Sequence, residues 1–138
     1  MKISYILIAL FVVILSLYAN ETGEAVFEKK CASCHVKEIS RTDTLKRLDT
    51  LKAPPMIEVS NQLKRNISIK DGDEDVHRAV VIAFIKHYIE NPDIIYSMCN
   101  PGALDRFGQM PTLKGKLTEE EKQAVAEWVY DYYEGKSF

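Results

Sequence analysis

Apolar residues recur along most of the chain at three- and four-residue intervals, the spacing of one helix face, and nowhere in sustained alternation. The pattern predicts a helix over 20–30, with Val26 and Phe27 on one face and Gly23, four residues before Phe27, on the same side. Leu45, Leu48 and Leu51 mark a short amphipathic turn or helix over 42–51, which has to stop before Pro54-Pro55. Another short helix is expected over 57–63. The longest runs over 74–90: Asp73 stands at the cap, Val76, Val80, Phe84, His87 and Tyr88 recur at helical spacing, and Asn91-Pro92 ends it. The last runs over 118–133, where Thr118 and Glu121 form a capping box and Glu119 and Glu120 suit the positive end of the dipole. Val125, Trp128 and Val129 share its face. The expected fold class is all-α, with four to five short helices.

Ahead of these elements, residues 3–18 carry no charge and follow the short positive start Met1-Lys2. As a helix they would span roughly 24 Å, short of a hydrocarbon core of about 30 Å. Small Ala19 offers the −1 position of a signal-peptidase site, with Leu17 at −3, before polar Asn20-Glu21-Thr22-Gly23. Residues 1–19 are therefore expected to be a signal peptide, an uncleaved amino-terminal anchor being the alternative. Residues 20–138 are expected to be one domain delivered across a membrane. Composition narrows the class further. At 46% hydrophobic and 28% charged, the 138 residues are neither a disordered tail nor a polytopic membrane protein. Eighteen basic against twenty acidic side chains give −2, without the basic excess that nucleic-acid binding asks for. Three cysteines are too few for a disulfide scaffold.

The chemistry is concentrated in Cys31-Ala32-Ser33-Cys34-His35. Two thiols three positions apart, followed directly by a histidine, suit covalent attachment of haem c: each sulfur adds to a vinyl group, and the imidazole ligates iron. A structural zinc site would need four ligands, and no second Cys/His pair follows at finger spacing. A thioredoxin-like dithiol would call for a βαβ pattern, which the chain lacks. A plain disulfide between Cys31 and Cys34 would leave the adjacent histidine unexplained.

With this motif the chain resembles the class I c-type cytochromes, the bacterial monohaem members in particular. The resemblance covers most of residues 20–138 and rests on four features in order. These are Gly23 and Phe27 in the first helix, CASCH at 31–35, the loop Phe107-Gly108-Gln109-Met110-Pro111, and a carboxy-terminal helix containing Trp128. It implies an all-α fold wrapped round one covalently bound haem, with the first and last helices crossing where Gly23 meets Trp128. Only a residue without Cβ lets a large ring approach its backbone so closely. It also implies Cys31 and Cys34 as the attachment sites and His35 as an axial ligand. The family pattern places the second axial ligand at Met110, ahead of Pro111 and eight residues before the capped final helix. Met56 is expected to line the pocket and Met98 to fill core. The family's usual proline, whose carbonyl accepts from the imidazole, comes about ten residues after the motif. Here the first prolines are Pro54 and Pro55, so Pro54 or Ala53 would have to serve across a longer loop.

Other residues read as ordinary. Cys99 is left over, and a buried, inert thiol is the default expectation, a bond to a partner chain or to iron the alternatives. His77 and His87, ten apart on one helix, suit surface or core better than a ligand pair. Asp71 to Asp75 imitates the opening of a calcium loop, but Val76 stands where glycine is required and Ile82 where glutamate is required. Lys29, Lys30, Lys37, Arg41, Lys46 and Arg47 cluster around the attachment motif, as Arg106, Lys114 and Lys116 do around the methionine loop; such charges are either wet surface or a means of orienting an acidic redox partner. The function implied is a periplasmic one-electron carrier on a His/Met-ligated haem c, not an enzyme, serving redox partner proteins and no nucleic acid. Membrane association through residues 3–18 follows only if the leader stays attached. The alternatives are a haem c subunit accepting electrons inside a multi-subunit periplasmic oxidoreductase and, further off, a haem-based gas or redox sensor.

Overall fold

The computed structural model describes residues 21–138; the expected leader at 1–19, with Asn20, lies outside them. Among the described residues there are six α-helices, two short 3₁₀ turns and no strand. The helices are α1 Gly23–Lys30, α2 Arg41–Lys46, α3 Met56–Asn66, α4 Glu74–Glu90, α5 Pro101–Phe107 and α6 Glu119–Asp131; the 3₁₀ turns are Leu48–Thr50 and Ile94–Tyr96. The all-α class stands.

Helix α6 is the hub, and α1, α3 and α4 all pack against it. Its start is set locally: Thr118 Oγ1 accepts from Glu121 N at 3.2 Å while Glu121 Oε2 accepts from Thr118 N at 2.8 Å, the expected capping box. Helix α1 is capped by Thr22, with Glu24 in its first turn and Lys29 and Lys30 in its last, charges that complement the dipole. It presents fully buried Val26 and Phe27 to α6. A Cβ added at Gly23 would overlap the Ala124 carbonyl oxygen and Trp128 Cβ, so the two backbones meet at this glycine as expected. One turn on, the Phe27 and Trp128 rings lie 4.8 Å apart.

Helix α4 begins and ends where expected, with Asp73 accepting from Val76 N at 2.9 Å. Its packed face is different. Val81, Ile82 and Ile85 are buried with Val125 and Val129 of α6, while Val76 and Val80 are 45% and 38% exposed. Apolar side chains occur nearly all round this helix, so the partner decides which side is buried; Phe84 and Tyr88 face a crevice instead. The 42–51 segment also differs: α2 stops at Lys46, Leu45 is 62% exposed, and Thr44 is the residue buried. The 57–63 helix is longer than expected, and Ser60 donates from it to Val129 O of α6 at 2.8 Å. His77 acts as structure, its Nε2–H donating to Ile67 O at 2.8 Å while Nδ1 accepts from Tyr130 at 2.9 Å. Helix α5 was not foreseen.

Two outcomes follow from these contacts. Gly23→Ala would force α1 off α6 and is expected to cost about 2 kcal/mol or more in guanidinium unfolding. Hydrogen bonds from Lys136, Lys122 and Arg78 hold Glu38, Glu90 and Asp131 below the usual carboxylate range. A depressed folded-state value means stabilisation that is present above the unfolded value of about 4 and is lost as pH falls through the folded one. The unfolding midpoint is therefore expected to drop between about pH 5 and 2, and Glu90→Gln to flatten that drop.

Candidate functional site

The site begins where α1 ends. Its carboxyl terminus runs into a tight turn in which Cys31 N donates to Phe27 O at 2.8 Å, and Cys34 N and His35 N donate to Cys31 O at 3.1 and 3.0 Å. The position of α1 on α6 therefore fixes residues 31–35. Cys31 is half-buried and Cys34 exposed, and no disulfide joins them. Burial, with the neighbouring Cys34, pushes the Cys31 thiol up to about 11, the opposite of the lowered value a reactive dithiol needs. Among the described residues no three His, Cys, Asp or Glu side chains converge as a metal cluster.

His35 Nδ1 lies 2.8 Å from Pro54 O. The carbonyl can only accept, so Nδ1 carries the proton and Nε2 is left with its free lone pair. Burial also lowers the imidazole's pKa, against the smaller opposing effect of the Pro54 bond, and so favours the neutral form of the ring. The partner is presented by chain stiffness: Pro55 confines Pro54 to extended backbone, and Met56 N donates to Val36 O at 2.8 Å, clipping the loop to the residue after His35. The expected longer loop thus delivers Pro54, not Ala53.

Cys31, Cys34 and His35 open onto a crevice walled mainly by apolar side chains, among them Leu63 of α3, Phe84, Ile85 and Ile89 of α4, Leu104 of α5 and Val125 of α6. Met110 lines it, and so do Met56 and Met98. Met56 is buried, and its backbone N makes the bond to Val36 O. Met98 packs on the core with its carbonyl bound by Asn66 Nδ2 at 2.8 Å. Met110 lies in an irregular segment after Gly108, whose φ of 68° ends α5. Cys99 also reaches the wall, half-buried and unpaired, its thiol pushed up by burial; composition carried no signal of that placement. A wider groove between residues 41–51 and α5 holds Arg41, Asp49, Asp105 and Arg106 but none of the candidate ligands.

The charged rim is smaller than the sequence suggested. Lys29, Lys37, Lys46 and Arg106 are taken up by Glu21, Glu24, Asp43 and Asp49. Among the described residues the charged side chains lining the crevice are Lys30 and Lys52, and no Asp or Glu lines it. His87 is exposed and contacts the Tyr96 ring at 6.2 Å, and Asp71 sits in a left-handed turn at φ 59°; neither lines the crevice.

A protein of Aquifex aeolicus (strain VF5), described as an uncharacterized protein, is 35% identical over 121 residues, 82% of this chain and 74% of that one. No solved structure matches. The family described as cytochrome c oxidase, cbb3-type, subunit III matches residues 19–129. With the Cys31–His35 motif, an oriented imidazole and an apolar crevice among the matched residues, the chain belongs to that family, c-type cytochrome domains that transfer electrons through haem.

Proposed function

We propose that this chain is an exported carrier of single electrons on one haem c, joined through thioethers to Cys31 and Cys34 and ligated by His35 Nε2 and the Met110 thioether. The observation that carries the reading is the 2.8 Å bond from His35 Nδ1 to Pro54 O at the mouth of an apolar crevice, because it aims a neutral imidazole with its free nitrogen available. The residues present fit the group: unpaired thiols at the opening, a fixed tautomer behind them and a low-polarity lining. The haem supplies a ferrous–ferric couple. Pro54 raises the basicity of the imidazole, and Leu63, Phe84, Ile85 and Val125 exclude water, which disfavours the extra charge of the oxidised state. Lys30 and Lys52 give the opening a positive rim suited to an acidic redox partner. Among the described residues no helix is long and apolar enough to cross a membrane. Export rests on residues 1–19 acting as a leader, and the compartment on that reading is the periplasm.

All three methionines line the crevice, and Met110 is preferred on the family pattern, which puts the ligand ahead of Pro111 and eight residues before the capped final helix. Optical spectra of purified protein in both oxidation states test this. The alkaline pyridine adduct reports the thioethers, and the weak methionine–ferric charge-transfer band reports the sixth ligand. Met110→Ala is expected to abolish that band and admit carbon monoxide to the reduced form, whereas Met98→Leu keeps the band; a band surviving in Met110→Ala overturns the assignment.

The crevice is walled by side chains with little to pack against unless it is filled, so binding and folding are linked. Protein made without haem is expected to have weak helical circular dichroism and no cooperative melt, and a well-folded colourless form counts against the account.

A second reading has one observation in its favour: the matching family is described as an oxidase subunit. On that reading the chain receives electrons within a larger assembly. Size exclusion of native extract separates the two, a lone red species at or below 15.7 kDa supporting the free carrier.

A further inference from the structure

Met110 sits in a stretch without regular structure, yet that stretch is tied down on both sides of the methionine. Gln109 Nε2 donates to Pro92 O at 2.9 Å, Thr112 Oγ1 donates to Glu90 O at 2.6 Å, and Leu113 N donates to Ile89 O at 2.8 Å. The acceptors lie at and just beyond the carboxyl end of α4, where the last helical carbonyls have no partner of their own. The helix is followed by Asn91 at φ −130°, not by a left-handed glycine, so the methionine loop does the capping. Both capacities of the Thr112 hydroxyl are used, since it also accepts from Lys114 N at 3.0 Å. Glu90 is anchored in turn: its Oε1 accepts from Lys122 Nζ at 2.8 Å, and Lys122 is buried on α6. A continuous set of contacts thus runs from the hub helix through Lys122 and Glu90 to Thr112, two residues from Met110.

We propose that Thr112 is a positioning residue for Met110: its bond to the Glu90 carbonyl, with the Gln109 bond to Pro92 on the other side, holds the backbone so that the thioether stays in the crevice. This rests on the reading of Met110 as the second axial ligand. A thioether is an uncharged, weak ligand on a side chain with three rotatable bonds, so its competitiveness depends on how firmly its backbone is kept. Thr112→Val keeps the shape and removes the hydroxyl, Thr112→Ser keeps the hydroxyl, and Gln109→Ala removes the tether on the far side.

The test titrates the ferric holoprotein with imidazole and follows the methionine charge-transfer band, with far-UV circular dichroism as the control for fold. Losing one such hydrogen bond is expected to tighten apparent imidazole binding roughly three- to tenfold in Thr112→Val, with Thr112→Ser within about twofold of the parent. Gln109→Ala is expected to move in the same direction, and it carries the test alone if Thr112→Val yields no red protein. Parental imidazole affinity in Thr112→Val, or equal effects of valine and serine, overturns the proposal. Met110→Ala separates the two layers. If it retains the band, the ligand assignment fails and the positioning role with it; if it loses the band while Thr112→Val behaves as the parent, only the positioning role fails.

Discussion

The approach of α1 to α6 at Gly23 is the constraint on which the crevice depends. Because no side chain intervenes, the Gly23 backbone rests on Ala124 and Trp128, and the Phe27 ring follows onto Trp128. Residues 31–35 continue directly from α1 through bonds to the Phe27 carbonyl, so the CASCH motif inherits its placement from that contact. The opposite boundary is referenced to the same helix. Helix α4 packs on α6 through Val81, Ile82 and Ile85, and its carboxyl end carries the loop containing Met110. One helix therefore sets the separation between the two candidate ligands, whose elements lie more than seventy residues apart in the chain.

The interior is arranged around that separation. Buried side chains of α1, α3, α4 and α6 form one cluster, while Phe84, Leu104 and Leu113 turn toward the crevice. Polar groups that enter this environment are satisfied: His35 by Pro54, Ser60 by Val129 and His77 by Tyr130 and Ile67. Among the described residues no buried side-chain nitrogen or oxygen lacks a partner. The one charged side chain buried among the described residues, Lys122, is paired with Glu90 and Glu119, and the charged residues that line the crevice are Lys30 and Lys52.

What could be read from the sequence was what local chemistry decides. Asp73 and Asn91-Pro92 bound α4, Thr118 and Glu121 start α6, and the CASCH motif stands out by its spacing as a candidate site, because each signal acts within a few residues. The buried face of α4 was not legible, since apolar residues at 76, 80, 81, 82, 84, 85, 88 and 89 leave no polar stripe to exclude a side. Helix α5 announced itself only by Asn100-Pro101 at its start and Gly108 at its end, and seven residues are too few for a periodic pattern. The placement of Met98 and Cys99 in the wall hangs on distant contacts, Asn66 to Met98 O and Asn100 to Glu58, that no local pattern encodes.

The double clip between the 35–36 and 54–56 segments carries a consequence for how the molecule can vary. Both ends of the intervening stretch are fastened within two residues of each other, by His35 to Pro54 and Val36 to Met56. Closure entropy grows only with the logarithm of loop length, so adding or trimming residues there costs little once the fastenings hold. Insertions or deletions over 37–53 can thus reshape the outer surface while the imidazole keeps its orientation, which makes this stretch the natural place for relatives to acquire different contacts around an unchanged centre.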